Sequence, residues 1–241
     1  FNSQYPRQAF LARLSATNKF NIMNRKLLRG VAAAALLLLS RPEMVVAQTQ
    51  DFATWTSVEM VYDWKRTGLE LDGILEWRTK DRVRRTDCAV VYLAVARNVL
   101  PRLSLGVNYE LSVNNLDAQG WMVYHCYRLR ATFSTRLCRG LELSLREKYE
   151  HTFGKNGFRE MLLRQRLRLA CTLPRNGISP YVSVETFNDL AAGRGFSLTR
   201  VRYRGGSSFP LSQGWTGDVF YLFQDSPAKG THVLGLAGTY H

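Results

Sequence analysis

The segment RLSLGVNYELSV, residues 102–113, alternates without a break. Leu103, Leu105, Val107, Tyr109, Leu111 and Val113 share one parity, and Ser104, Gly106, Asn108, Glu110 and Ser112 share the other. A period of two puts successive side chains on opposite faces of a β-strand, whereas a helix would scatter both sets around its axis. LELDGILEWR (69–78) sets Leu69, Leu71, Leu75 and Trp77 against Glu70, Asp72, Glu76 and Arg78, with Gly73 and Ile74 loosening the pattern for one step. LELSLREKYEH (141–151) sets Leu141, Leu143 and Leu145 against Glu142, Ser144 and Arg146. In LLRQRLRLACTLP (162–174), Arg164, Arg166 and Arg168 alternate with Gln165, Leu167 and Leu169.

The same reading extends to eleven segments, at approximately 52–64, 69–79, 85–98, 102–113, 121–136, 140–152, 159–173, 178–188, 195–208, 214–225 and 231–240. No helical period competes beyond residue 48, and no linker or composition shift divides the chain, so one all-β domain is expected over 48–241. NVLPR, RLCRG, LPRNG and FPLSQG are tight, Pro/Gly/Asn-bearing connections, while NNLDAQG, FGKNGF, NDLAAGRG and DSPAKG are longer and more polar. The two classes alternate, which is the layout of an up-and-down barrel with short turns at one end and longer loops at the other.

The N-terminal stretch from Met23 reads as an export signal. Arg25, Lys26 and Arg29 precede the apolar run Val31–Leu39, and VVA ends at Ala47. The apolar run falls well short of the ~20 residues a spanning helix needs. Residues 23–47 are therefore expected to be a signal peptide cleaved near Ala47. Residues 1–22 read as an upstream extension outside the fold. The whole chain of 241 residues carries a net charge of +14. Residues 1–47 hold seven Lys/Arg and one acid, so the remainder keeps 26 basic and 18 acidic residues, a net of +8. Export and the reduced charge both argue against nucleic acid as a partner.

Several segments run ~12–15 residues, longer than the five or six usual in soluble sheets and ample for a tilted membrane strand. One face is apolar and often aromatic. The other carries Arg128 and Arg130 on the fifth segment, Arg200, Arg202 and Arg204 on the ninth, and the acids Glu70, Glu76, Glu110, Glu142, Glu160 and Glu185 among the bases. Arginine far outnumbers lysine there, and its planar fork suits close pairing with carboxylates. These observations predict a single antiparallel up-and-down transmembrane β-barrel of 10–12 strands, with twelve preferred because single-chain bacterial barrels use even numbers. Glu70, Glu76, Arg78, Arg128, Arg130, Glu142, Arg146, Arg164, Arg166, Arg168, Glu185, Arg200 and Arg202 would line its lumen, and Glu142 and Glu185 would pair with the arginines of the seventh segment. Trp55, Trp64, Trp77, Trp121, Tyr109 and Tyr149 would form the interfacial girdles. With eleven segments for an even barrel, residues 48–56 running through the lumen before pairing is one way to reconcile the count. The alternative is a soluble periplasmic β-sandwich or β-barrel binding protein.

The stretches DFATWTSVEM, LELDGILEWR, RLSLGVNYE, RGLELSLREKYEHTF, MLLRQRLRLACTL, SPYVSVETFND, TRVRYRGG, DVFYLFQD and HVLGLAGTY together resemble a family of bacterial outer-membrane β-barrels known as a domain of unknown function, of the 2490 type. The resemblance spans essentially the whole of 48–241. It implies an integral outer-membrane barrel, inserted by the barrel-assembly machinery and bathed in outer-membrane lipid, and it implies no particular activity. Such barrels usually end in an aromatic residue, and here His241 follows Tyr240.

No catalytic constellation stands out. His125, His151, His232 and His241 sit in no His-x-Ser-Asn arrangement, and there is no G-x-S-x-G, phosphate-binding glycine loop or H-E-x-x-H. His151, near a longer connection, reads as a solvated loop residue. No enzyme activity, cofactor or metal is expected. An arginine-rich lumen would favour a small anionic solute, either in a narrow passage or in a packed scaffold. Cys138 and Cys171 both fall near tight turns, and a disulfide between them is a further expectation.

Overall fold

The computed structural model describes residues 49–190, 196–227 and 229–241. The upstream extension and signal peptide expected over 1–47 lie outside the described residues. Eleven strands follow one another: β1 (Thr49–Trp64), β2 (Leu69–Lys80), β3 (Arg85–Leu100), β4 (Leu103–Asn115), β5 (Trp121–Cys138), β6 (Leu141–Gly154), β7 (Arg159–Cys171), β8 (Ser179–Asp189), β9 (Ser197–Ser212), β10 (Trp215–Ser226) and β11 (Lys229–Tyr240). Single 3-10 turns, Asp117–Gln119 and Lys155–Gly157, sit in two of the connections. Each strand pairs antiparallel with its sequence neighbour, and β1 closes on β11.

The closing pair corrects the expected even count. An up-and-down meander with an odd number of strands brings its first and last strands together pointing the same way. The seam is accordingly parallel, with Thr49–Met60 in continuous register against Lys229–Tyr240. Parallel bonds are slanted but evenly spaced, so the ladder still closes. The start of β1 therefore belongs to the wall and does not thread the lumen. The expected contrast in connection lengths holds at six of the eight connections and fails at two. The β7–β8 connection, expected to be tight, spans 172–178, while the β10–β11 connection, expected to be long, is only 227–228.

Side-chain parity holds around the whole barrel, because residues paired in register share a face. On β2, Asp72, Ile74, Glu76 and Arg78 all point inward, so Gly73 and Ile74 do not interrupt the alternation. Outward, Met60, Leu75, Leu93, Val107, Leu129, Val182 and Leu236 are between 51% and 62% exposed, each on a different strand. An apolar surface that encircles the molecule is far larger than a soluble monomer exposes. Trp64 lies at the rim that carries Tyr240, and Trp215 joins it there with its ring 5.3 Å from Tyr240. Trp77 and Trp121 face outward toward the opposite rim, while Tyr109 and Tyr149 are outward but at mid-strand, away from the rims where the girdles were expected.

Trp55 departs from the expected girdle. It faces the lumen beside Ala53 and Ser57, because the parity set by Val58, Met60 and Tyr62 puts the odd positions of β1 inside. A small apolar cluster of Ala53, Tyr181, Phe220, Leu222 and Val233 fills the interior beside the seam. Phe220 lies directly over Gly235, where an added Cβ would meet ring carbons at 1.9–2.3 Å.

The seam makes a direct prediction. In a background without the native cysteines, Thr56→Cys with Leu236→Cys, which are register partners on β1 and β11, forms a disulfide on mild oxidation, detectable as a cross-linked peptide by mass spectrometry. Failure of that pair to cross-link in folded protein contradicts the parallel closure. Gly235→Val displaces the Phe220 ring and lowers stability by roughly 1–3 kcal/mol, the usual cost of overpacking, read as a lower midpoint of urea unfolding.

Candidate functional site: the charged lumen

Because inward positions alternate with outward positions on every strand, arginines spaced by two in sequence stack vertically inside the barrel. Arg164, Arg166 and Arg168 of β7 do this, as do Arg128 and Arg130 of β5 and Arg200, Arg202 and Arg204 of β9. On β1, β2 and β4 the inward charges are mostly acids, Glu59, Glu70, Asp72, Glu76 and Glu110, whereas Glu142, Glu150, Glu185 and Asp218 stand among the more numerous arginines. β3, between the acid-bearing β2 and β4, adds no charge of its own, since its inner face is Cys88, Val90, Tyr92, Ala94 and Ala96. The lumen is thus polarised across its width.

A chain of ion pairs spans it. Arg128 bonds Glu110 at 2.5 Å and also bonds Glu150. Glu150 bonds Arg164 at 2.7 Å. Arg164 bonds Glu185 at 2.9 Å, and Glu185 bonds Arg146 at 2.9 Å. Arg78 pairs with Glu76 on its own strand, and Arg204 pairs with Asp218 at 2.9 Å. Arg130 is more loosely held, 3.8 Å from Asp72 and 4.0 Å from Glu70. Burying a charge is costly unless it is paired and hydrogen-bonded, as these are.

Aromatic rings fill the gaps between guanidinium groups. Phe187 takes Arg164, Arg200 and Arg202 at 4.3, 4.8 and 4.6 Å from its centroid. Trp55 takes Arg78 and Arg202 at 4.4 and 4.9 Å. Tyr181 takes Arg168 at 4.1 Å, and Phe220 takes Arg204 at 3.5 Å. Each such contact contributes on the order of 1 kcal/mol, more when desolvated. What remains open is a cavity of 330 Å³ lined by Glu59, Asp72, Lys148, Arg166, Ser183 and their neighbours. A second cavity of 260 Å³ adjoins Arg166, Arg168 and Asp218.

Every charged residue expected in the lumen from sequence lies on an inward parity. The expected pairing is divided, however. Glu185 does engage Arg164, but Glu142 makes no ion pair among the described residues and stands opposite Arg136. Arg166 and Arg168 have no carboxylate partner among the described residues. Asp72 shares the charged face read for β2, whereas Lys148, Glu150 and Asp218 have no such assignment from sequence, although the parity of Arg146 continues to Lys148 and Glu150 in LELSLREKYEH. The inward aromatics carried no such signal, because a ring on an otherwise polar face reads as an exception.

Cys138 and Cys171 are free. Both stand opposite Leu141, one on each side of β6. That places them two interstrand spacings apart, about 10 Å, beyond the ~7 Å reach of a disulfide. His151 is not a loop residue. It lies in β6 on the outer face and its Nδ1 bonds the Tyr127 hydroxyl. His125 and His232 repeat the arrangement with Tyr109 at 2.6 Å and Tyr221 at 2.5 Å. No cluster of His, Cys, Asp and Glu suited to a metal occurs among the described residues.

The family model described as "Protein of unknown function (DUF2490)" matches residues 52–233. The chain belongs to this family. The matched region begins within β1 and ends within β11, so the DUF2490 pattern and the closed barrel coincide nearly strand for strand. Among solved structures, the chain is similar to the translocator domain of the autotransporter NalP from Neisseria meningitidis, at 13% identity and a TM-score of 0.44, covering 90% of this chain and 94% of that one. It is also similar to the beta domain of the Bordetella autotransporter BrkA, at 13% identity and a TM-score of 0.40, covering 77% and 93%. No curated protein matches the chain.

Glu185 holds two arginines and is itself held in register between Arg166 and Arg202. Glu185→Gln leaves Arg146 and Arg164 without that carboxylate. Its expected cost is roughly 3 kcal/mol, as for a buried pair broken on one side, measured as a lowered urea midpoint of the folded barrel. An unchanged midpoint contradicts the pairing.

Proposed function

We propose that this protein is an integral bacterial outer-membrane β-barrel whose narrow, charge-lined lumen admits small anionic solutes. The observation that carries this reading is the sorting of one alternating pattern. Apolar side chains stand exposed on the outside of every strand, and guanidinium–carboxylate networks are enclosed within. In water that outer surface would drive aggregation, whereas in lipid it is matched to its solvent. The closed ladder supports the same reading, since a bilayer offers no partner for an open sheet edge. Trp64, Trp215 and Tyr240 at one rim, and Trp77 and Trp121 toward the other, suit the interfacial bands where amphipathic rings settle. The outer-membrane lipid and the barrel-assembly machinery are then the macromolecular partners, and no enzyme activity, cofactor or nucleic-acid partner belongs to this reading.

The density of ion pairs and rings argues for a passage much narrower than a general porin. In a planar bilayer, the purified folded protein is expected to give small, stepwise, anion-selective currents. Silence of demonstrably folded protein would favour a closed scaffold. The membrane assignment has its own check. The protein should stay with the detergent-extracted outer-membrane fraction and migrate faster on gels unheated than boiled. Recovery in the buffer-soluble periplasmic fraction overturns it and favours a soluble binding protein.

A further inference from the structure

We propose that Arg146, Lys148, Arg164 and Arg166 form a binding site for a small dianionic oxyanion solute, of the phosphate or dicarboxylate kind. The inference rests on the narrow, charge-lined lumen proposed above and names what occupies it. These four side chains form two rungs between β6 and β7. Arg146 stands directly opposite Arg166, and Lys148 directly opposite Arg164. Lys148 also faces Arg130 on its other side. Directly opposed side chains on one face of a sheet have their Cβ atoms only about 5 Å apart, and like charges so placed repel. A chain gains nothing from three such contacts in one patch unless a counter-charge completes it.

The protein's own counter-charges are already engaged. Glu185 divides its two oxygens between Arg146 and Arg164. Glu150 serves Arg128 and Arg164, and Glu110 serves Arg128. Five cations thus meet three carboxylates, an excess of two positive charges. Arg202, which donates to Gln224 and to no carboxylate, adds to that excess. Four groups are left without a hydrogen bond. Lys148 is 8% exposed, and its ammonium, 5.8 Å from the centre of the Tyr92 ring, has no hydrogen-bond or ion-pair partner among the described residues. The Arg166 Nε is buried and likewise unpartnered, as are the Nε atoms of Arg146 and Arg164.

All four cations line the 330 Å³ cavity. That volume suits a small molecule and excludes a polymer. The planar fork of arginine matches the paired oxygens of phosphate and carboxylate, whereas a chloride ion uses neither the fork nor its direction. Across the cavity Glu59 and Asp72 repel an anion from the acidic wall and hold it toward β6 and β7.

The test is thermal unfolding of the detergent-folded barrel, followed by the loss of its heat-modifiable gel band. Sodium phosphate is titrated against sodium chloride at constant ionic strength, with succinate in a parallel arm. The expected result is a saturable rise of the midpoint with phosphate or succinate, and the arm with the lower apparent Kd identifies the kind of solute. Arg166→Gln and Lys148→Met should each weaken the apparent Kd at least tenfold. Without the anion they should melt no lower than the parent, because each removes a like-charge contact. Arg166→Lys, which keeps the charge and loses the fork, should also weaken the response and guards against a variant that fails to fold. Equal midpoints in phosphate, succinate and chloride overturn the proposal, and so does a variant that melts lower yet keeps the full response. A heat-modifiable barrel that ignores both anions refutes this site alone and leaves the membrane assignment standing.

Discussion

Closure of the backbone hydrogen-bond ladder is the constraint on which everything else depends. Eleven strands, each paired on both sides, leave no open edge among the described residues. The parallel seam from Thr49 to Met60 is what an odd meander requires, and it runs for twelve register pairs. Once the ladder is closed, every strand has one face inside and one outside, and the alternation in the sequence decides which chemistry goes where. A slip of one residue in any strand would exchange the two faces. The arginines of β7 and the leucines between them therefore hold the register as well as filling the two sides.

The enclosed face sets a harder problem than the outer one. Eight arginines from β5, β7 and β9 converge on one side of a narrow interior, where solvation is limited. Three devices accommodate them: carboxylates shared between two arginines, as with Glu150 and Glu185; rings stacked against guanidinium groups, as with Phe187 and Tyr181; and an acidic opposite wall on β1, β2 and β4. The sharing of carboxylates is economical but incomplete, and the shortfall concentrates at Lys148 and Arg166.

Much of this was legible from residue order alone. Alternation located all eleven strands and assigned Arg164, Arg166, Arg168, Glu76 and Glu185 their face, because parity is a local property. What escaped depends on the global arrangement. The strand parity of the closed barrel cannot be read from any one segment, and the expectation of twelve strands rested on the habits of other barrels. The Cys138–Cys171 pairing looked plausible along the chain, but β6 lies between them and only the register shows it. Trp55 was misplaced for a different reason. Its aromatic character suggests an interfacial band, but the parity of Val58, Met60 and Tyr62 just downstream puts it inside. Pairing partners such as Glu150 for Arg164 depend on diagonal reach across strands, which side-chain length and packing decide.

The central claim is that the charged parity faces the lumen and the apolar parity faces lipid. Spin labels placed singly at successive positions 163–169 of β7, in protein reconstituted into vesicles, test it most directly. Their relaxation by dissolved oxygen and by a water-soluble nickel complex reports the surroundings of each site. The account predicts strict alternation, with 163, 165, 167 and 169 accessible to oxygen and 164, 166 and 168 shielded from it. Uniform accessibility to the nickel complex on both parities, or the opposite phase, would contradict it.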